Sequence, residues 1–140
     1  MICFKYSTNF SLDDELSVIK LLRSVALSNR KEIKKFFFYF VSEEEILKVN
    51  NNHLNHNFVT DVITFDYSEG KDIKAEAYIC PSEVFKNARI YKQTLENEVV
   101  RVVLHALLHV VGYDDKTNER KQEMRKQEDS YLAVFKKKHK

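Results

Sequence analysis

Glycine and proline are nearly missing: 140 residues hold only Gly70, Gly112 and Pro81. A phosphate-binding loop or a dinucleotide fingerprint needs several closely spaced glycines so that backbone N–H groups can approach the phosphates. Both are excluded, and with them a nucleotide cofactor. Cysteine is almost as scarce. Cys3 and Cys80 cannot build a disulfide framework and suit a reducing compartment, each as a small buried apolar side chain. Charge of one sign is also lacking, since 23 Lys and Arg face 21 Asp and Glu for a net +2. A protein that coats nucleic acid by bulk charge is thereby excluded, and any RNA or DNA contact must be local. No run approaches the roughly 20 apolar residues that cross a bilayer. Residues Met1 to Phe10 are broken by Lys5 and Asn9 and offer no small-residue cleavage site. The expectation is a soluble cytoplasmic protein with no membrane partner.

What is present is enough hydrophobic residue, 44% of a 16.6 kDa chain, to fill the core of one domain spanning residues 1–140. Ile2 to Tyr6 reads as a first strand. Leu12 to about Asn29 reads as a helix capped by Ser11, with Leu12, Leu16, Ile19, Leu22, Val25 and Ala26 at helical spacing. Phe36 to Val41 is an aromatic and β-branched strand, and Ser42-Glu43-Glu44-Glu45 has the form of a capping box opening a second helix. That helix is expected to decay into the polar loop Asn50 to Asn57. Strands then follow over Asp61 to Tyr67 and Ile73 to Cys80, joined as a hairpin by the turn around Gly70. Pro81 opens a helix to about Lys92, Thr94 caps one from Leu95 to Val111, and Thr117 caps a last one with a lysine-rich end, Lys136 to Lys140. The predicted fold class is α+β: a small mixed sheet of about four strands packed with about five helices.

Chemistry concentrates in His105-Ala106-Leu107-Leu108-His109-Val110-Val111-Gly112-Tyr113-Asp114-Asp115. At ~100° per residue His105 and His109 leave one helix face one turn apart, as two metal ligands must. Val100, Val103, Leu107 and Val110 point the other way while Val102 and Leu108 flank the histidines, which predicts a helix buried on nearly every side. Buried imidazoles need partners, because an unsatisfied polar group costs about 1–3 kcal/mol. They are satisfied either as a hydrogen-bonded core pair or by a metal. Gly112 can end the helix in a left-handed turn and swing Tyr113-Asp114-Asp115 back toward the histidines. The pattern His-x3-His-x5-Asp with a helix stop inside it is the layout of a three-ligand zinc site with an open position. Ala106 stands where a zinc peptidase of the His-Glu-x-x-His type carries its general base, which argues against that chemistry.

At these residues the chain resembles the YbeY family, metal-dependent endoribonucleases of ribosomal RNA maturation. His105 to Asp115 is similar to the family's His-Gly-x-Leu-His-x-x-Gly-Tyr-Asp-His. Thr60-Asp61-Val62-Ile63-Thr64-Phe65 is similar to its Thr-Asp-Val-Leu-Ser-Phe, and Met124, Glu128 and Leu132 match positions of its last helix. The resemblance covers roughly residues 50 to 132. It implies one zinc ion (Zn2+) or another divalent metal held by His105, His109 and Asp115. It also implies a hydrolase that cuts single-stranded RNA near the 3′ end of small-subunit ribosomal RNA, with the small ribosomal subunit as partner. Three departures stand out: Asp115 replaces the usual third histidine, Ala106 a glycine, and Leu54 an arginine that contacts RNA phosphate.

No residue presents itself as a certain general base. His53 and His56 are candidate substrate-side donors or simply solvated loop histidines. Asp61 is read as tying down the start of its strand rather than as a base. Asp114 is the alternative third ligand. Glu98 and Arg101 are either partners behind the ligand face or an exposed pair on an early turn. The clusters Arg30-Lys31 and Lys34-Lys35 and the lysine tail can reach phosphates or stay solvated. Two rival functions remain open: a metal-stabilised ribosome-assembly or RNA-binding factor without turnover, and a metal-dependent hydrolase of another substrate.

Overall fold

The chain is described by a computed structural model covering residues 1–138, with side chains as far as Lys136. Its elements are β1 (Ile2–Tyr6), α1 (Glu15–Ser28), β2 (Glu32–Phe40), α2 (Glu43–Leu54) and β3 (Val62–Asp66), then β4 (Asp72–Ile79), α3 (Pro81–Ile90), α4 (Leu95–Val111) and α5 (Asn118–Lys138). His139 and Lys140 of the lysine tail lie outside the described residues. The class is α+β, as the sequence predicts.

The sheet runs β1-β2-β4-β3. β1 and β4 flank β2 in parallel, and β3 closes the edge antiparallel to β4. Gly70 makes that hairpin, with a φ of 58° and the Glu69–Asp72 bridge across the turn. Period-two alternation sends Phe36, Phe38 and Phe40 of β2 into the core, where each is fully buried. Phe37 and Tyr39 face the other way and are half-buried. Val18, Leu22, Val25 and Ala26 of α1, most of α4, and Met124 and Leu132 of α5 cover the phenylalanine face. A smaller cluster of Val41, Ile46, Ile63 and Cys80 sits under α2. Each fully buried apolar side chain contributes about 1.5–3 kcal/mol, so the β2 phenylalanines anchor the main core.

Several boundaries differ from the sequence reading. α1 begins at Glu15 with Asp14 as its cap, the carboxylate accepting the Ser17 N–H at 3.1 Å. Ser11 lies outside the helix, Leu12 is buried ahead of it, and Leu16 is exposed. β2 starts four residues early, at Glu32. A register shift between Ile33 and Lys35 lets Ile33 and Phe36 both face the core, which breaks the alternation that would have revealed the strand. The Ser42 capping box forms in both halves, at 3.1 Å each. α2 then runs on to Leu54 instead of dissolving at Asn50, because the Asn50 side chain is buried and donates to the Phe58 carbonyl at 2.9 Å. Asn55 stops it in the left-handed region at φ 57°. Cys80 is buried, but Cys3 only partly.

Candidate active site

The site is built on α4. The Thr94 hydroxyl accepts the Asn97 N–H at 3.1 Å and opens the helix. At the other end Tyr113 N–H donates to the Leu108 carbonyl at 3.0 Å and Gly112 N–H to the His109 carbonyl at 3.3 Å. That bond pair is a Schellman ending, and Gly112 supplies its positive φ of 121°. The chain reverses there as the sequence predicts. Asp115 thereby reaches a cleft of about 320 Å3 that His105 also lines.

His105 is held from behind. Its Nδ1 lies 2.7 Å from Oε2 of Glu128 on α5, whose side chain is only 5% exposed. A carboxylate acceptor places the proton on Nδ1 and leaves Nε2 as the ring nitrogen free to meet a ligand. The bond to Glu128 raises the His105 pKa above its ordinary 6.5; burial opposes this, and the negative charges of Glu128, Asp115 and Asp61 add to it. Glu128 is itself braced by Arg101, Nη1 to Oε1 at 3.4 Å, and Arg101 Nε reaches Glu98 Oε1 at 3.3 Å. Arg101 also holds Asp129 at 2.7 Å. Glu98 is buried and Arg101 nearly so, which removes the exposed-pair alternative, and Arg101 reaches His105 through Glu128.

His109 behaves differently from the sequence reading. It is exposed and does not line the cleft, because α4 presents one open strip and only the surfaces around that strip are packed. The premise that both imidazoles are buried holds for neither ring in full, as the His105 side chain is 32% exposed. Among the described residues no three His, Cys, Asp or Glu side chains converge into a ready-made metal-binding group.

The remaining candidates separate clearly. Asp114 accepts the Lys116 N–H at 3.0 Å and pairs with Arg120 at 3.3 Å. The Lys116 bond, with the nearby charge of Arg120, holds its pKa below the usual carboxylate value. It ties the loop while Asp115 faces the cleft. Asp61 also lines the cleft, and its carboxylate takes a bond from the Thr60 hydroxyl at 3.5 Å; it is its main-chain carbonyl that fixes the strand, accepting from Cys80 N–H at 2.9 Å. The strand-tying role read for its side chain is thus a backbone role. His53 packs edge-on against Phe65 and His56 stacks on Phe58, both exposed and neither lining the cleft. Leu54 ends α2, equally outside it.

Two features of the cleft escaped the sequence reading. Glu128 was visible only as a family match, yet a glutamate between Met124 and Leu132 in a buried i, i+4, i+8 stripe is itself the signal of a polar partner inside. Tyr91 and Arg125, on the cleft wall, carried no signal.

Compared with known proteins, the chain matches the family model described as Endoribonuclease YbeY over residues 7–136. The chain belongs to the YbeY family. It is 38% identical to the Endoribonuclease YbeY of Karelsulcia muelleri (strain GWSS) over 139 residues, 99% of both chains. It is also 38% identical to that of Flavobacterium psychrophilum over 135 residues, 96% of both. The solution structure of a Thermotoga maritima protein superposes with a TM-score of 0.67 at 27% identity, covering 96% of this chain and 89% of that one. No helix among the described residues is long and apolar enough to cross a membrane.

Proposed function

We propose that this chain is an endoribonuclease of ribosomal RNA maturation, cutting single-stranded RNA near the 3′ end of the small-subunit RNA with a zinc ion or similar divalent cation at His105. The observation that carries this reading is the His105–Glu128 pair opening onto a cleft shared with Asp115 and Asp61. Ligating histidines characteristically donate their second ring N–H to a carboxylate, which fixes the tautomer and raises the basicity of the ligating nitrogen. The donor chemistry of His105 Nε2 and the Asp115 carboxylate fits a metal, and these two would hold it; the exposed His109 ring, one turn along α4, would have to swing toward them to serve as the third donor.

Bound there, the ion would acidify a water and polarise the scissile phosphate. The chain's own residues do the rest. Glu128 and Arg101 keep the His105 ring from rotating. Asp61, just before β3, is the cleft carboxylate left to accept a proton from the attacking water. Unpaired Cys3 and Cys80 suit a reducing cytoplasm.

Single-turnover cleavage of labelled small-subunit precursor RNA, with added zinc, tests the proposal. Wild type should cut, and His105→Ala should lose at least about a hundredfold in rate, the upper end of what removing a mere outer partner of a ligand costs. A second reading, an RNA-binding assembly factor without turnover, draws on the position of His109 outside the cleft. RNA binding by wild type with no metal-dependent cut would establish it instead.

A further inference from the structure

The cleft sets four carboxylates, Asp61, Glu98, Asp115 and Glu128, against two guanidiniums, Arg101 and Arg125. A polyanion held here needs a cation with bonding capacity to spare, and the two arginines are not equivalent. Arg101 is 11% exposed, and its Nε and Nη1 already hold Glu98, Glu128 and Asp129. Arg125 is half exposed, and its contact with Asp129 Oδ1 is 3.9 Å long, to an oxygen that Arg101 already holds at 2.7 Å. A pair of that length in solvent is weak and exchangeable. Arg125 can therefore turn its planar fork toward a phosphate.

Beside it stands Tyr91, directly after α3, 59% exposed with the Arg125 guanidinium 5.8 Å from its ring centroid. Large exposed aromatics next to a basic group are how single-stranded nucleic acids are gripped, the ring taking a base face and the cation a phosphate. Position strengthens the reading. A second cavity of about 470 Å3 is lined by His105 and Asp115 together with Tyr91, Arg125 and, one turn earlier on α5, Lys121. The reacting groups and two basic residues thus share one cavity.

We infer that Tyr91 and Arg125 form a nucleotide subsite of this cleft: an unpaired base stacks on the Tyr91 ring and the Arg125 guanidinium holds a phosphate next to the one that is cut. The subsite rests on the RNA reading of the cleft and supplies the phosphate contact that Leu54 does not.

The test is equilibrium binding of a fluorescein-labelled 2′-O-methyl 12-mer RNA in EDTA, where the metal-dependent cut cannot occur, followed by anisotropy over a range of salt. Arg125→Ala should weaken binding about tenfold and flatten the log–log salt slope by about 0.7, the loss of one phosphate contact on a single strand. Arg125→Lys should recover only part of the affinity, because a lysine lacks the fork. Tyr91→Ala should weaken binding at least about fivefold and Tyr91→Phe should not. A scan replacing single phosphates by methylphosphonates should find one position that costs wild type affinity and costs Arg125→Ala nothing further. Circular dichroism confirms that these surface variants fold. Unchanged affinity and salt slope in Arg125→Ala, or identical scans in both proteins, overturns the subsite. Because the RNA cannot be cut, the two readings fail separately. Subsite-dependent binding without cleavage of natural RNA leaves the subsite standing and removes the nuclease; cleavage with wild-type affinity in Arg125→Ala does the reverse.

Discussion

Replacing Glu128 by glutamine keeps the shape of the side chain and removes its charge from the least exposed part of the cleft. Two neighbours feel the loss. Arg101 gives up one of its three carboxylates but keeps Glu98 and Asp129, so the cost falls at or below the lower end of the 3–5 kcal/mol typical of a broken buried ion pair, about 3 kcal/mol. At about 3–4 °C per kcal/mol for a chain of this length, the melting temperature should drop by about 10 °C. His105 loses the bond that is the main cause of its raised pKa.

The pH dependence follows from that direction. A histidine whose folded pKa lies above its unfolded 6.5 contributes stability that is fully present below 6.5 and disappears as pH rises through the folded value. The melting gap between wild type and Glu128→Gln, measured on metal-free protein, should therefore be widest below pH 6.5. It should narrow above the His105 midpoint, leaving only the Arg101 part. NMR titration of the imidazole supplies that midpoint, which should move down toward 6.5 in the variant. Divalent-ion affinity should fall about 10- to 100-fold, because the ligating nitrogen loses its orienting partner. An unmoved midpoint together with an equal melting gap on both sides of it would refute the coupling between Glu128 and His105.

Calorimetric zinc titration should separate the two adjacent aspartates: Asp115→Asn loses at least tenfold in affinity, whereas Asp114→Asn, which only loosens the Lys116–Arg120 tie, binds as wild type; the opposite ranking would move the ligand to Asp114. Gly112→Ala meets no atom within 4 Å of the new Cβ but must hold a φ of 121°. It should cost about 1–3 kcal/mol by thermal melting through backbone strain alone, with weaker zinc binding, and an unchanged melt would show that the helix ending tolerates a side chain. Glu45 has its pKa lowered chiefly by the Ser42 backbone N–H, then by the Ser7 hydroxyl. Its capping contribution is present above pH 4.5 and lost as pH falls through the depressed value, so Glu45→Ala should be less stable than wild type near neutrality and converge with it in acid. A gap that persists below pH 3 would place the loss in packing instead.

Local signals were legible wherever they acted through neighbours in sequence. Thr94 and Gly112 delimit α4, Ser42 and Glu45 open α2, and Gly70 turns the hairpin, because a cap or a turn is decided by bonds spanning two to five residues. Boundaries failed where a distant contact decides. Asn50 stays helical because of the Phe58 carbonyl, and Ile33 enters the core through a register shift against β4. The site divides the same way. Helical spacing relates His105 to His109, and the Gly112 turn brings Asp115 into the cleft. Neither reveals that α5 returns Glu128 to within 2.7 Å of His105 across 23 residues, or that His109 stands exposed.

The same distinction explains how the cleft differs from the family pattern. An aspartate where the family resemblance puts a third histidine adds one negative charge, and the cleft has four carboxylates facing two guanidiniums. A phosphate would be repelled from that cleft until a dication balanced it, so an ion and RNA should help each other to bind. Arg101 cannot soften the repulsion, since its charge is already spent on Glu98, Glu128 and Asp129. Arg125 can, because it reaches the cleft from a surface-facing turn of α5 where its only ion pair among the described residues is long. A basic side chain from the last helix thus answers the electrostatic need of the cleft, and only the fold, which lays α5 beside α4, brings it there.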